Sequence, residues 1–316
     1  MRLWLTRPLP ETVEARAAGL FETEVRPSTA PLSADEMRRA LRDFDIVMPT
    51  LGDLFQAEVF ADVPQPRCRL LANFGVGYNH IDVAAARAAG LAVTNTPGAV
   101  TDATADIALT LMLMTARRAG EGERLVRSGA WRGWHPTQML GMHVTGRRLG
   151  VLGMGRIGTA IAKRCHAGFG MEVHYLSRSP KQLPFPSQRH ATVTGLAASC
   201  DILVLAVPGG AETHHLIDAE VLRAMPPHAI LVNIARGDVV DEAALIAALQ
   251  GKQIAGAGLD VYEFEPAVPA ALRALETVTL LPHLGTAALS VRSDMGMMVL
   301  DNAEAFAAGR DLPNPV

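Results

Sequence analysis

Three segments late in the chain place ionisable groups directly after apolar runs. They are NIARGDVVDEAAL with Arg236, GAGLDVYEFEP with Asp260 and Glu265, and LLPHLGTAA with His283. Such runs read as buried strands, and open α/β sheets hold their ligands at strand ends. A guanidinium can clamp a carboxylate in two-point fashion, and an imidazole can move a proton near neutral pH. A carboxylate beside that imidazole favours its protonated form. Together these groups could anchor a small anion, polarise a carbonyl and deliver a proton. Each also has a plainer reading: Arg236 paired with Asp241 at a helix start, Glu265 in a surface turn, and His283 as a satisfied core histidine.

A glycine fingerprint precedes these segments. In RLGVLGMGRIGTAIAKR a strand ends at Leu152, Gly153-x-Gly155-x-x-Gly158 makes the turn, and Thr159 to Lys163 continue as a helix. Gly153 allows the tight turn and Gly155 lets backbone approach a pyrophosphate. Gly158 permits close helix–strand packing, and the helix N-terminus attracts the negative charge. The strand, helix and second strand stand at the spacing of a dinucleotide site. The second strand, EVHYLS, ends where NAD-binding folds carry an acid for the ribose hydroxyls. Here VHYLSRSPK offers Ser177, Arg178 and Ser179 instead. No carboxylate repels a 2′-phosphate, and Arg178 can bond one with the serine hydroxyls as further donors. The expected cofactor is therefore NADP, with NADPH preferred and NAD the alternative. An arginine that merely points into water is the plainer reading.

Short apolar runs alternate with Ala-rich amphipathic stretches along the whole chain, the pattern of βα units and parallel sheets. Strands are expected at RLWLT, DIVMP, RLLANF, AVTNT, RLGVLG, EVHYLS, DILVLAV, AILVNIA, GAGLDV and TVTLLP. Helices are expected over 34–42, 82–89, 102–119, 156–167, 241–250 and 287–308. The fold class is α/β, with two doubly wound parallel-sheet domains. The first is discontinuous and flavodoxin-like, residues 1–100 and 285–316, and carries the substrate. The second, 101–284, binds the dinucleotide.

The 316 residues are 49% hydrophobic and 19% charged with a net charge of −3, enough for two ordinary cores. That balance gives no electrostatic reason to expect nucleic acid or an anionic membrane as partner. Cys68, Cys165 and Cys200 stand far apart with no Cys-x-x-Cys pair, which argues against a disulfide framework or a zinc site and fits a reducing compartment. No apolar run is long enough for a signal peptide or a membrane span, so a cytoplasmic protein is expected. His214 and His215 in ETHHLI show no partner ligand in the sequence, and no metal is expected.

The motifs NFGVGYNHIDVAAARAAGLAVTNTPGAVTDATADIALTLML, LGVLGMGRIGTAIAKR, DILVLAVP, LVNIARGDVVDEAALIAAL, GAGLDVYEFEP and LLPHLGTA, in this order and spacing, resemble the D-2-hydroxyacid dehydrogenase family over nearly the whole chain. YLSRS and RSGAWRGWHP resemble its glyoxylate/hydroxypyruvate reductase branch. The resemblance implies that His283 protonates the substrate carbonyl oxygen, Glu265 keeps His283 protonated, and Arg236 holds the 2-oxo acid. It implies that the backbone N–H groups of Val76 and Gly77 bind the substrate carboxylate. It also implies a homodimer built through an apolar arm, with Trp134 near the substrate of the partner copy. Cofactor contacts are implied at Thr104, Gly153, Gly155, Arg156, Ile157, Gly158, Ser177, Arg178, Ser179, Val207, Pro208, Thr213, Ala235, Asp260 and Gly285. Asn79 stands where many relatives carry Asp. Glu265 separates the chain from formate dehydrogenases of similar fold, which use glutamine there.

The function so implied is NADPH-dependent reduction of glyoxylate, hydroxypyruvate and similar small 2-oxo acids. The alternatives are a same-fold dehydrogenase for bulkier acids such as hydroxyphenylpyruvate, and a binding protein that senses nicotinamide redox state.

Overall fold

Leu3, Trp4 and Leu5 are buried on alternate faces of one sheet, as the two-residue period of a strand requires. They belong to the first of two units in the computed structural model, which describes all 316 residues: 1–100 with 286–316, and 101–285. Both units are parallel α/β sheets.

In the first unit the strands are β1 Arg2–Leu5, β2 Glu22–Val25, β3 Ile46–Met48, β4 Leu70–Ala72 and β5 Ala92–Thr94. They pair in the order β2-β1-β3-β4-β5, all parallel, which is the flavodoxin order. Parallel sheets need cover on both faces. Trp4, Leu41, Phe44, Val47 and Phe55 fill one side, with Trp4 stacked on Phe44 at 5.3 Å. On the other, Leu3, Leu5, Ile46, Met48 and Leu70 meet Val299, Leu300 and Ala303 of the helix Leu289–Ala307. The chain end is tied to β5 as well: Val316 donates its N–H to Val93 O at 3.1 Å, and Pro315 bridges Thr94.

The second unit holds β6 Arg148–Leu152, β7 Glu172–Leu176, β8 Ser187–Arg189, β9 Ile202–Leu205, β10 Ile230–Asn233, β11 Gly256–Leu259 and β12 Val278–Leu280. Their order is β12-β11-β10-β9-β6-β7-β8, again all parallel. The direction of winding reverses between β6 and β9. In such sheets the crevice beyond the strand C-termini at that switch point receives the ligand.

All ten expected strands are present, shortened at their ends. Two further strands, β2 (ETEV) and β8 (SQR), lack the apolar signature because both are sheet edges with mostly exposed or half-buried side chains. The helix expected over 102–119 is a correction. It spans Thr101–Ala116 and stops because Arg118 turns left-handed (φ +53°) and forks onto Glu121 at 2.7 and 2.8 Å. A separate helix, Ala119–Arg127, follows. No helix is long and apolar enough to cross a membrane.

Candidate active site

The fingerprint folds as a cradle for an anion. Gly153 has φ +100°, and a Cβ there would lie 2.6 Å from Ala206 O, so only glycine fits. A Cβ on Gly158 would fall 2.1 Å from Gly153 O, inside the turn itself. Gly155 differs: a Cβ would meet nothing within 4 Å, which leaves open space at the start of the helix Arg156–Phe169. No side chain caps that helix and no acid lies in its first turn, whereas Arg156 does. Free amides, a positive dipole end and open space fit a pyrophosphate.

At the end of β7 the Ser177 hydroxyl donates to Ser179 O at 2.6 Å, so it braces the turn. Arg178 and Ser179 are exposed. On the far side of the switch point Thr213 Oγ1 donates to Pro208 O at 2.8 Å and holds the loop after Val207. Ala235 is buried, its N–H on Asn233 Oδ1 at 3.0 Å.

The ends of β10, β11 and β12 converge. The Asn233 side chain donates to Arg236 O at 2.9 Å and so shapes the turn that carries the guanidinium. Burial lowers the Arg236 pKa from its ordinary value, while the charges of Glu265 and Asp238 oppose this. Gly237 makes the convergence feasible: a Cβ there would sit 1.8 Å from the carbonyl carbon of Tyr262. Asp260, almost fully buried, accepts the N–H of Leu284 at 2.6 Å and of Gly285 at 2.8 Å. Burial raises its pKa, against the pull of those two amides. Thr104 Oγ1 closes the same turn on Gly285 O at 3.2 Å.

Between those anchors His283 adopts φ +55°, a left-handed backbone that a histidine tolerates only when its surroundings enforce it. Its Nδ1 lies 2.8 Å from Glu265 Oε2, and Glu265 Oε1 accepts the Tyr262 N–H at 3.0 Å. Burial pushes the Glu265 carboxyl up, but the His283 bond and charge, the Tyr262 N–H and Arg236 outweigh it and hold the carboxyl below its ordinary range. With Nδ1 committed to a carboxylate, Nε2 faces away from it and can present a proton.

In the first unit, the loop after β4 turns its carbonyls inward. Asn73 Nδ2 donates to Gly75 O at 3.0 Å and Gly77 O at 3.1 Å, and Asn95 Nδ2 donates to Val76 O at 2.8 Å. The Thr96 N–H also reaches Gly75 O. In trans, planar peptides the following N–H points the opposite way. The amides of Val76, Gly77 and Tyr78 are thereby each turned away from the side chain that holds the carbonyl before them, and none has a backbone partner.

The comparisons with known proteins fit this geometry. Residues 109–285 match the family model described as "D-isomer specific 2-hydroxyacid dehydrogenase, NAD binding domain". A glyoxylate reductase of Thermococcus kodakarensis is 43% identical over 321 residues, covering 100% of this chain and 96% of that protein. The chain belongs to the D-2-hydroxyacid dehydrogenases. A glycerate dehydrogenase of Hyphomicrobium methylovorum is 34% identical over 98% of this chain and 97% of its own length. Among solved structures, an NADPH-dependent glyoxylate/hydroxypyruvate reductase from Sinorhizobium meliloti, in complex with NADP and malonate, superposes with a TM-score of 0.87. It is 37% identical over 100% of this chain and 96% of that one.

Membership makes the chain an oxidoreductase with an NAD(P)-binding domain over the fingerprint half. Among this dehydrogenase's own residues, Arg236, Asp260, Glu265 and His283 lie within one unit, and Val76 and Gly77 within the other. Trp131 and Trp134 stand 49% and 78% exposed in a stretch without regular structure. The sequence alone did not single out Asn73 and Asn95, Gly237 or Tyr262. Of these only the tyrosine carried a signal, as the residue three before Glu265. The fold places Glu263 beside the histidine pair: His215 Nε2 lies 2.9 Å from Glu263 Oε1, and the rings of His214 and His215 stack at 4.0 Å.

Proposed function

We propose that this dehydrogenase reduces small 2-oxo acids, glyoxylate and hydroxypyruvate above all, with NADPH preferred over NADH. The observation that carries the reading is the His283–Glu265 pair at 2.8 Å, a proton donor held in one orientation by a carboxylate kept ionised. A reduced nicotinamide cofactor held on the cradle of Gly153, Gly155 and Gly158 would supply the hydride that the carbonyl carbon takes up. His283 gives its Nε2 proton to the carbonyl oxygen, so hydride and proton together yield the 2-hydroxy acid, D-glycerate in the case of hydroxypyruvate. Arg236 holds the carbonyl and carboxylate oxygens, and the amides of Val76 and Gly77 take the carboxylate. Asp260, through the turn it fixes, sets where His283 and Gly285 stand.

Two features support the preference for NADPH: no carboxylate follows β7, and Arg178 is exposed there. The names of the Thermococcus, Hyphomicrobium and Sinorhizobium relatives support the substrate class. The exposed Trp134, Trp131, Val126 and Leu140 support a homodimer formed through this arm, with Trp134 narrowing the C3 side of the partner's substrate. Three buried thiols suit a reducing, cytoplasmic setting.

The test is consumption of NADPH and NADH with glyoxylate, hydroxypyruvate, pyruvate, 2-oxoisocaproate and phenylpyruvate. The expected order of kcat/KM places the two small acids first and NADPH ahead of NADH. Phenylpyruvate ahead of both small acids would overturn the substrate class, and inertness toward every acid would leave a nicotinamide-sensing protein.

A further inference from the structure

The edge strand β8 has no apolar side chain to bury, and its last residue points to a purpose. Arg189 pairs in register with Tyr175 of β7, and its Nη2 donates to Ser177 O at 3.0 Å and Arg178 O at 3.3 Å. It makes no ion pair with a carboxylate. Both carbonyls thus face the guanidinium, and planar trans peptides turn the N–H groups of Arg178 and Ser179 to the opposite side. Those amides have no backbone partner. The Ser177 hydroxyl bond to Ser179 O tightens the same turn.

The local charge is equally one-sided. From Val173 to Cys200 the chain contains Arg178, Lys181 and Arg189 and no Asp or Glu. A turn that carries Arg178 and is braced by Arg189, with no carboxylate nearby, is complementary to an anion, and a phosphate dianion suits the Arg178 fork together with the paired amides.

We propose that Arg189 is the positioning residue of the 2′-phosphate site. It fixes the carbonyls of Ser177 and Arg178, so that two amides and the Arg178 side chain are aligned for the phosphate before the cofactor binds. The inference rests on the NADPH reading above and deepens it. It assigns cofactor choice to the second basic residue, on the edge strand, as well as to Arg178 on the turn. NADH lacks the 2′-phosphate and would not draw on the arrangement.

The experiment compares KM and kcat for NADPH and NADH at saturating glyoxylate in the full-length protein, its Arg178→Ala variant, and Arg189→Ala and Arg189→Lys. Competitive inhibition by adenosine 2′,5′-bisphosphate and by adenosine 5′-monophosphate is measured alongside. Arg189→Ala should raise the KM for NADPH and the inhibition constant of the bisphosphate by about tenfold, which is about 1.4 kcal/mol. The NADH and monophosphate values should stay within about twofold, a split that loss of folding would not give. Lysine keeps the charge without the fork, so Arg189→Lys should recover part of the loss. Equal changes with both cofactors, or no change with NADPH while Arg178→Ala is impaired, would overturn the role of Arg189 alone. A wild type indifferent to the 2′-phosphate, with Arg178→Ala equally indifferent, would overturn the NADPH reading itself and this inference with it.

Discussion

Nδ1 of His283 and Oε2 of Glu265 lie 2.8 Å apart, while the second oxygen of the carboxylate is fixed on the Tyr262 amide at 3.0 Å. The glutamate therefore cannot turn away without giving up a backbone bond. Removing the imidazole in His283→Ala should lower kcat for glyoxylate reduction by about 10²–10⁴-fold, with NADPH binding nearly intact. An active variant would end the proton-donor assignment.

The sign of the pH effect follows from the same pair. The Glu265 carboxyl titrates below its ordinary 4.5, because the His283 bond and charge and the Tyr262 N–H outweigh burial. It is thus charged across the neutral range and favours imidazolium. In Glu265→Gln that support is gone, and the upper pH limit of reduction should move to lower pH. A pH profile of kcat/KM unchanged on its alkaline limb would contradict this.

Gly237 and Arg236 act as one unit. Gly237→Ala places a methyl against the backbone of Tyr262, so the turn that carries Arg236 must move. Both Arg236→Ala and Gly237→Ala should cut kcat/KM for the 2-oxo acid by about a hundredfold or more, about 3 kcal/mol. Arg236→Lys should restore little, because a point charge cannot make the two-point contact. Full activity in Gly237→Ala would show that the close approach is dispensable.

Asp201 supplies a stability test away from the chemistry. It is 4% exposed and accepts from Arg148 N at 2.9 Å, Arg148 Nη2 at 2.7 Å and His228 Nε2 at 2.7 Å. Burial raises its pKa, yet these bonds win and hold it far below the ordinary 3.8. A depressed carboxyl contributes stability above 3.8 that is lost as pH falls toward its folded value. Asp201→Asn should cost about 2 kcal/mol at neutral pH, seen as a lower Tm of the second unit. The gap to wild type should close in acid; a gap independent of pH would rule out the charge as its source.

What could be read from the sequence divides along physical lines. Buried parallel strands are continuous apolar runs, so β1, β6, β9 and β10 announce themselves. The strained glycines of the fingerprint were equally legible, because a turn of that kind has few sequence solutions. The polar edges β2 and β8 carry no such periodicity, and Arg189 was invisible for that reason. Asn73 and Asn95 act by orienting carbonyls of other residues, a role that residue type and spacing do not encode. The left-handed break at Arg118 depends on a local fork to Glu121 and interrupts a sequence that otherwise reads as one helix.

The first unit draws its core from both ends of the chain. Val299, Leu300 and Ala303 cover β1, β3 and β4, and Val316 is hydrogen-bonded beside β5. On the ribosome those side chains emerge only after residues 101–285 have been made. Until then that face of the first sheet has Val13, Ala17 and Phe21 of the N-terminal segment against it, and its cover over Leu3, Leu5, Ile46 and Leu70 is incomplete. The second unit, continuous in sequence, has no such wait. Synthesis therefore lets the middle of the protein close its core first, while the N-terminal sheet completes its own only when the final helix arrives.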